Sequence, residues 1–389
     1  MSWKNCFPDQ QKYCMKKIIV VSAVNFTEGG GLTIVKDCLS YLNSLTELNP
    51  AYHIVAIVYD QSLCYFSNIE YINYKKAKHS WLKRVYAEYV YFYKLSRQIK
   101  PYLWLSLHDV SPNVIAEKRV VYCHNPFPFY KFQLKNLYFN YKVALLPLFY
   151  KYIYKVNIKK NSFVVVQQNW LRNEFIKLFS LKEEKIIVAN PHEEVKVIES
   201  KGMNLNFREK NKDNTCIFIY PVVSRPFKNF ETICKASRLL QERKILNYKI
   251  ILTIDGTEEN YSKYILKKYG NDTNINFIGR ISLDEVYKQY EQADCLLFPS
   301  KLETWGLPIS EFAAFNKPMI ISDLPYAHET ASNAKKVAFF QPTNSYELAS
   351  LMEDVINGNL NKFNFCNQIS IDYPYTQRWQ ELFDIILKD

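Results

Sequence analysis

Seven residues separate Glu303 from Glu311 in SKLETWGLPISEFAAFNKPMI (300–320), and this pair has the spacing to do chemistry. The stretch follows CLLFPS (Cys295–Ser300), an apolar run that reads as a buried strand. Gly306 lies between the glutamates. Pro308 sits where a helix begins, a place that tolerates Pro because its missing N–H has no partner to lose there. The spacing predicts Glu303 in a tight strand-to-helix loop and Glu311 on the first turns of the helix. Both carboxylates then face one crevice at the carboxyl end of a strand, where open α/β sheets bind ligands. The helix start at Leu307 adds free N–H groups that suit an anion. Carboxylates that accept hydroxyl hydrogens beside a phosphate site describe a receptor for a nucleotide-sugar. An amphipathic helix can carry glutamates at the same spacing for solubility alone. The flanking Ser300, Gly306, Leu307 and Pro308, and the strand Pro318–Asp323 that follows, favour the site.

Other strand ends carry candidates of their own. In PVVSRPFKNF (Pro221–Phe230), Arg225 and Lys228 can both reach a diphosphate. Arg offers a planar fork and Lys a mobile point charge; a solvated loop with two ordinary basic side chains is the alternative. Glu28-Gly29-Gly30-Gly31 lies between a strand and a helix, where glycines let the backbone turn tightly and approach a ligand. G-x-G-x-x-G is absent, so this is not a dinucleotide fingerprint. His124 ends a strand at Tyr122-Cys123-His124-Asn125-Pro126. His108 is a second strand-end histidine, and Gln167 and Gln168 end another strand. A lone His is more often structural than catalytic. No D-x-D occurs in the chain, so no metal site is expected.

The stretch around Glu303 and Glu311 resembles the E-x7-E signature of retaining glycosyltransferases of family 4, which have the GT-B fold. The resemblance implies that Glu303 contacts hydroxyls of a donor sugar and Glu311 the ribose of its nucleotide. Arg225 and Lys228 match the basic pair that neutralises the leaving diphosphate, and Trp305, Gly306 and Leu307 fall in the donor loop. Gly30 and Gly31 match a glycine loop that lines the acceptor side and closes on the donor phosphates. His124 matches a histidine that contacts the donor sugar near the reacting carbon. Glu329, after the strand carrying Asp323, resembles a further family glutamate. The family commonly has Gly-Phe after the first Glu; here Thr304-Trp305 stands instead. The expected catalytic set is thus His124, Arg225, Lys228 and Glu303. The donor set is Gly30, Gly31, Arg225, Lys228, Glu303, Trp305, Gly306, Leu307 and Glu311.

The elements that must position these residues alternate. Strands are expected at Lys16–Val24, His53–Asp60, Tyr102–Leu107, Arg119–His124, Ser162–Gln167 and Lys185–Ala189. Helices are expected at Leu32–Leu45, Ser80–Gln98 and Trp170–Phe179. A polar linker over 193–214 follows, and the pattern restarts with a strand at Cys216–Val222, a helix at Asn229–Glu242 and a strand at Lys249–Ile254. It continues through Leu283–Gln292, Cys295–Ser300 and Leu307–Phe315 to a helix at Ser345–Asn357. Two βα arrays predict an α/β protein of two Rossmann-like domains facing a cleft. Their expected bounds are 1–200 for an acceptor domain, 201–365 for a nucleotide-sugar domain, and 366–389 for a C-terminal segment that the resemblance packs back on the first. Met15 could be the true start.

Composition narrows the classes. With 389 residues and 48% hydrophobic content the chain can build two cores. No apolar run approaches the ~18–20 residues that span a bilayer. The nine cysteines show no C-x-x-C pair, which predicts reduced thiols in a cytosolic protein. Net charge is +12, and residues 73–160 hold seventeen Lys/Arg against three Asp/Glu, interleaved with Tyr, Phe and Trp. That pattern suits an anionic membrane surface or a solvated face over an aromatic core; nucleic acid ranks below both. The expectation is a cytoplasmic, membrane-peripheral, retaining glycosyltransferase that needs no cofactor. Its partners would be a UDP- or GDP-sugar and a saccharide or lipid-linked saccharide acceptor of surface-polysaccharide (O-antigen, capsule or lipopolysaccharide) assembly. The rivals are a nucleotide-sugar 2-epimerase-like enzyme of the same architecture and a non-catalytic nucleotide-binding protein.

Overall fold

A computed structural model describes residues 16–78, 80–130, 134, 136–190 and 215–388. The expected linker at 193–214, the boundary at 200 and the start at Met1 or Met15 lie outside the described residues. In chain order the first elements are β1 (Lys17–Ala23), α1 (Gly29–Leu48), β2 (Tyr52–Val58), β3 (Ile69–Asn73), α2 (Trp81–Tyr86), α3 (Phe92–Ile99), β4 (Leu103–Ser106), β5 (Lys118–Cys123), α4 (Asn136–Lys155), β6 (Phe163–Val166), α5 (Asn169–Phe179) and β7 (Ile186–Ala189). They continue with β8 (Cys216–Tyr220), α6 (Phe230–Glu242), β9 (Tyr248–Leu252), α7 (Asn260–Tyr269), β10 (Ile275–Phe277), α8 (Leu283–Gln292), β11 (Cys295–Phe298), α9 (Leu307–Ala313), β12 (Met319–Ser322), α10 (Pro325–Thr330), β13 (Val337–Phe340), α11 (Ser345–Ile356), β14 (Tyr375–Thr376) and α12 (Trp379–Leu387).

The chain divides into two compact units. The first comprises Met1–Pro128, Phe149–His192 and Ile371–Asp389; the second comprises Phe129–Leu148 and Glu193–Ser370. The first unit holds an eight-stranded sheet in the order β14-β7-β6-β5-β4-β1-β2-β3, and its strand pairs are parallel. Parallel strands are covered on both faces, which is why β1, β2, β5 and β6 read as continuous apolar runs. Alternation along β1 divides the core. Ile19, Val21 and Ala23 pack with Leu39 and Leu42 of α1 and with Leu382, Phe383 and Ile386 of α12. Val20 and Val24 join Phe92 and Trp104 on the other face. Arg172, fully buried on α5, donates to the carbonyls of Asp372 and Pro374, and so fixes the chain that leads into β14.

The second unit holds a six-stranded sheet, β10-β9-β8-β11-β12-β13, again with parallel pairs. β8 and β11 are adjacent at its centre, so the loops that leave their carboxyl ends are neighbours. This is where Arg225, Lys228 and Glu303 were expected.

Several elements differ from the sequence expectation, among them the strands β3 and β14, which were not expected. Ser80–Gln98 is not one helix; a π turn at Ala87–Tyr91 divides α2 from α3, and it carries the buried Glu88. α4 was not expected, because it contains Pro147 and a non-helical Asn140 within an aromatic-rich segment. α7 was also missed, although Tyr261, Ile265 and Tyr269 form its buried stripe at four-residue spacing. Among the described residues no helix is long and apolar enough to cross a membrane.

Candidate functional site

The candidate site of the second unit is built from two loops pinned to each other. After β8, Pro226–Lys228 form a short 3-10 turn and Asn229 takes a left-handed conformation, φ 64°. The Asn229 side-chain amide donates to the carbonyls of Pro299 (3.0 Å) and Pro342 (2.7 Å). The Lys301 N–H donates to the Phe227 carbonyl at 2.7 Å. The Tyr220 hydroxyl, buried under the turn, donates to the Lys228 carbonyl at 2.7 Å. These bonds leave the loop little freedom, so the side chain of Lys228 has a defined origin.

Lys228 Nζ meets Glu303 Oε1 at 2.5 Å, with side chains 13% and 12% exposed. A charge-assisted bond this far from bulk water is stronger than an exposed one. Its field reaches two phenols: burial first, and the Glu303 charge second, push Tyr220 and Tyr326 well above the ordinary tyrosine range. Arg225, nearly half exposed, pairs with Glu259 Oε2 at 2.5 Å and donates to the Ser224 carbonyl at 3.0 Å. Both cations of the expected diphosphate clamp are thus held by carboxylates here. Ser224 Oγ is buried and has no hydrogen-bond partner among the described residues.

The E-x7-E stretch folds as its spacing predicts. Glu303 lies in the loop after β11 and Glu311 on α9. Gly306 precedes α9 at φ 93°, a conformation costly for any residue with a Cβ, and a Cβ there would touch Phe298 and Ile309 at 3.4 Å. Pro308 is the second residue of the helix. Trp305 donates from Nε1 to Ser310 Oγ at 3.2 Å, and its carbonyl accepts from the Thr330 hydroxyl. Leu307 is exposed. Glu311 Oε2 accepts the hydroxyl of buried Tyr290 at 2.8 Å. Asp323 pairs with His328 at 2.7 Å.

Gly30, Gly31 and His124 belong to the first unit. A Cβ on Gly31 would collide with the Phe26 ring at 2.3 Å, whereas one on Gly30 would meet nothing within 4 Å. Phe26 stands edge-on to His124, with ring centroids 5.7 Å apart. Gly31 and His124 therefore share one aromatic neighbour. Burial lowers the His124 pKa; the Asp109 charge opposes that shift and His108 adds to it. His108 is hydrogen-bonded to Glu88 at 2.6 Å, both 1% exposed, which makes it a core residue. Gln167 and Gln168 are buried, and Gln168 accepts from Trp170 Nε1 at 2.6 Å. Sequence reasoning missed Glu259, Tyr290 and Ser224. Only Ser224, beside Arg225, had a local signal.

Residues 203–370 match the family model of glycosyl transferases group 1. The matched segment contains Arg225, Lys228, Glu303 and Glu311. Among curated relatives, the O-antigen chain mannosyltransferase RfbU of Salmonella typhimurium is 24% identical over 187 residues, 48% of this chain and 49% of that one. N,N'-diacetylbacillosaminyl-diphospho-undecaprenol alpha-1,3-N-acetylgalactosaminyltransferase of Campylobacter jejuni is 21% identical over 262 residues, 64% of this chain and 67% of that one. The match to RfbU thus spans about half of that relative's length. Solved structures share the fold along most of the chain. The lipopolysaccharide outer core galactosyltransferase WaaB has a TM-score of 0.58 at 13% identity, over 96% of this chain and 95% of that one. A glycosyltransferase from Rickettsia africae has a TM-score of 0.61 at 14% identity, over 96% and 99%. At these identities the likeness is one of fold: two Rossmann-like α/β domains of GT-B type.

The positive φ of Gly306 gives the group 1 segment a sharp test. Gly306→Ala is expected to cost about 1–2 kcal/mol, the usual penalty for a left-handed L-residue. Urea unfolding measures it, and an unchanged midpoint would mean that the loop relaxes freely.

Proposed function

We propose that this chain transfers a sugar from a nucleotide-sugar to a saccharide acceptor, with retention of anomeric configuration and without a metal ion. The observation that carries the reading is the Lys228–Glu303 pair, held between the loops after β8 and β11 inside the group 1 segment. When a diphosphate binds, Lys228 and Arg225 exchange carboxylate partners for phosphate oxygens. Neither cation is left unpaired, so the exchange avoids the cost of a stranded charge. Glu303, released from Lys228, accepts hydroxyls of the donor sugar, and Glu311 accepts ribose hydroxyls. In the first unit, His124 is assigned to a sugar hydroxyl and Gly30 and Gly31 to the acceptor side. The acceptor oxygen bonds to the anomeric carbon as the carbon–phosphate oxygen bond breaks on the same face, and the departing phosphate takes the acceptor's proton. The protein positions the reactants and stabilises negative charge on the leaving group.

Incubation with labelled UDP- and GDP-sugars, with and without membranes and saccharide acceptors, tests this. Transfer to an acceptor with the donor's anomeric configuration, read by NMR, is expected. Release of an altered nucleotide-sugar without acceptor would favour the epimerase, and binding without turnover the non-catalytic protein. EDTA should leave the rate intact; a loss restored by magnesium or manganese would contradict the metal-free route. Arg225→Ala should lower turnover more than stability, whereas Lys228→Ala should lower both, because it leaves the Glu303 carboxylate without its cation. Glu311→Gln should weaken nucleotide binding by about 1–3 kcal/mol, the usual worth of a hydrogen bond to a charged group, and unchanged affinity by calorimetry would remove the ribose role.

The acceptor is proposed to be lipid-linked, in surface-polysaccharide assembly such as that of O-antigen or lipopolysaccharide, with the protein peripheral on the inner face of the cytoplasmic membrane. Support comes from α2, where Trp81 and Leu82 are exposed by 65% and 75% beside exposed Lys83. A cavity of about 380 Å³ next to them is lined by Tyr74, Lys76, Leu82, Lys83, Tyr86 and Tyr91. Each basic residue near an anionic surface contributes ~1 kcal/mol, screened over roughly 8 Å at physiological ionic strength. Sedimentation with anionic vesicles should therefore exceed that with neutral ones and fall with salt. Equal recovery in the supernatant with both would refute docking.

A further inference from the structure

Asp109 lies in the turn after β4 at φ 70°, a conformation that Asp tolerates better than most residues. Its carboxylate joins two other elements of the first unit. Oδ1 accepts the backbone N–H of His124 at 2.6 Å and that of Asn125 at 3.0 Å. The Tyr154 hydroxyl of α4 donates to the same oxygen at 2.9 Å, and the Tyr150 hydroxyl donates to Oδ2 at 3.3 Å. One carboxylate thus fixes the chain as it leaves β5 and ties it to the last turns of α4. On the other side of the same turn, Arg84 Nη2 donates to the His108 carbonyl at 3.0 Å.

The His124 imidazole lacks such anchors. Both ring nitrogens are buried and neither makes a well-formed hydrogen bond among the described residues; the Leu107 backbone is the one polar group that acts on the ring directly. The ring lies between Tyr122, with centroids 4.2 Å apart, and Phe26. Buried polar atoms are nearly always paired in folded proteins, and one backbone group serves at most one of the two ring nitrogens, so the ring keeps capacity for a ligand. With no side-chain partner, the ring's position follows from aromatic packing, from the Leu107 backbone and from its own backbone, which Asp109 holds.

We propose that Asp109 is the positioning residue for His124, fixing the strand-end backbone so that the imidazole meets a ligand hydroxyl in a set place. The inference rests on the reading of His124 as a site residue. Tyr150 and Tyr154 complete the device by saturating the carboxylate, and burial drives both phenols far above the ordinary tyrosine range, so they donate at any working pH. The ionisable groups around the ring are Asp109, His108, Tyr122 and Cys123. Burial pushes the Tyr122 hydroxyl and the Cys123 thiol well above neutrality, which leaves Asp109 as the negative charge that acts on His124.

The test uses the full chain and two variants. Asp109→Asn keeps an oxygen for the two amides and tolerates the positive φ, but removes the charge. Asp109→Ala removes both. The His124 imidazole titration is followed by NMR, with the resonance assigned by His124→Gln. In Asp109→Asn the titration should move to lower pH than in the wild type, because the opposing charge is gone. With the nucleotide-sugar that the panel selects, Asp109→Ala should lose on the order of 10²-fold in kcat, the scale of a small misplacement at a reacting centre, and Asp109→Asn should recover most of it. An unmoved titration in Asp109→Asn, or a folded Asp109→Ala with wild-type kcat, would overturn the proposal. If Asp109→Ala does not fold, the titration of Asp109→Asn decides alone. UDP and GDP binding by calorimetry separates this outcome from the parent reading. A wild type that binds neither and turns nothing over would sink the transferase, while the titration would still judge Asp109.

Discussion

An ammonium and a carboxylate 2.5 Å apart, each about an eighth exposed, govern the centre of the second unit. Removing two charges from water is costly, and their attraction repays the cost only when the geometry is fixed. The surrounding bonds fix it. Asn229 ties the β8 loop to Pro299 and Pro342, Tyr220 holds the Lys228 carbonyl, and Lys301 returns a bond to Phe227. Replacing such a pair by apolar side chains often stabilises a protein, so stability is a poor reason to keep it. The proposed exchange of partners with a bound diphosphate and sugar gives a better one. The Arg225–Glu259 pair at its side follows the same logic with more solvent.

The first unit uses a carboxylate differently. Asp109 is bonded by two amides and two hydroxyls, and among the described residues no cation pairs with it. It organises backbone where Lys228 and Glu303 organise side chains. The last helix packs on the same unit. α12 packs Leu382, Phe383 and Ile386 against α1 and β1, and Lys118 and Tyr102 hold the carbonyls of Ile386 and Leu387. Residues far apart in sequence thereby anchor the amino ends of β4 and β5, the strands that lead to Asp109 and His124.

Much of this could be read from residue order alone. Parallel strands buried on both faces leave apolar runs, so Lys17–Ala23 and Cys295–Phe298 were legible to within two residues at each end. Gly306 and Pro308 marked the start of α9 because only certain backbones suit them. α4 was hidden by Pro147 and by aromatic residues more usual in strands. The π turn at Ala87–Tyr91 changes hydrogen-bond register, which a hydrophobic pattern does not display. The charged members of the site were legible by type and spacing, but their partners were not. Glu259 meets Arg225 across 34 positions, and Tyr290 meets Glu311 across 21. Such pairings follow from strand order, which no local pattern carries. The glycines divide in the same way: Gly31 is required by the Phe26 ring, whereas the space around Gly30 imposes nothing.

The central claim is that a nucleotide-sugar binds on the loops that leave β8 and β11. Amide hydrogen exchange, with and without saturating UDP- and GDP-sugars, tests it most directly. The account predicts that one of these donors slows exchange in 222–230 and 300–312, with little change on the far side of the same sheet in α8. Protection confined to other segments, with these two loops unaltered by a donor that binds, would contradict it.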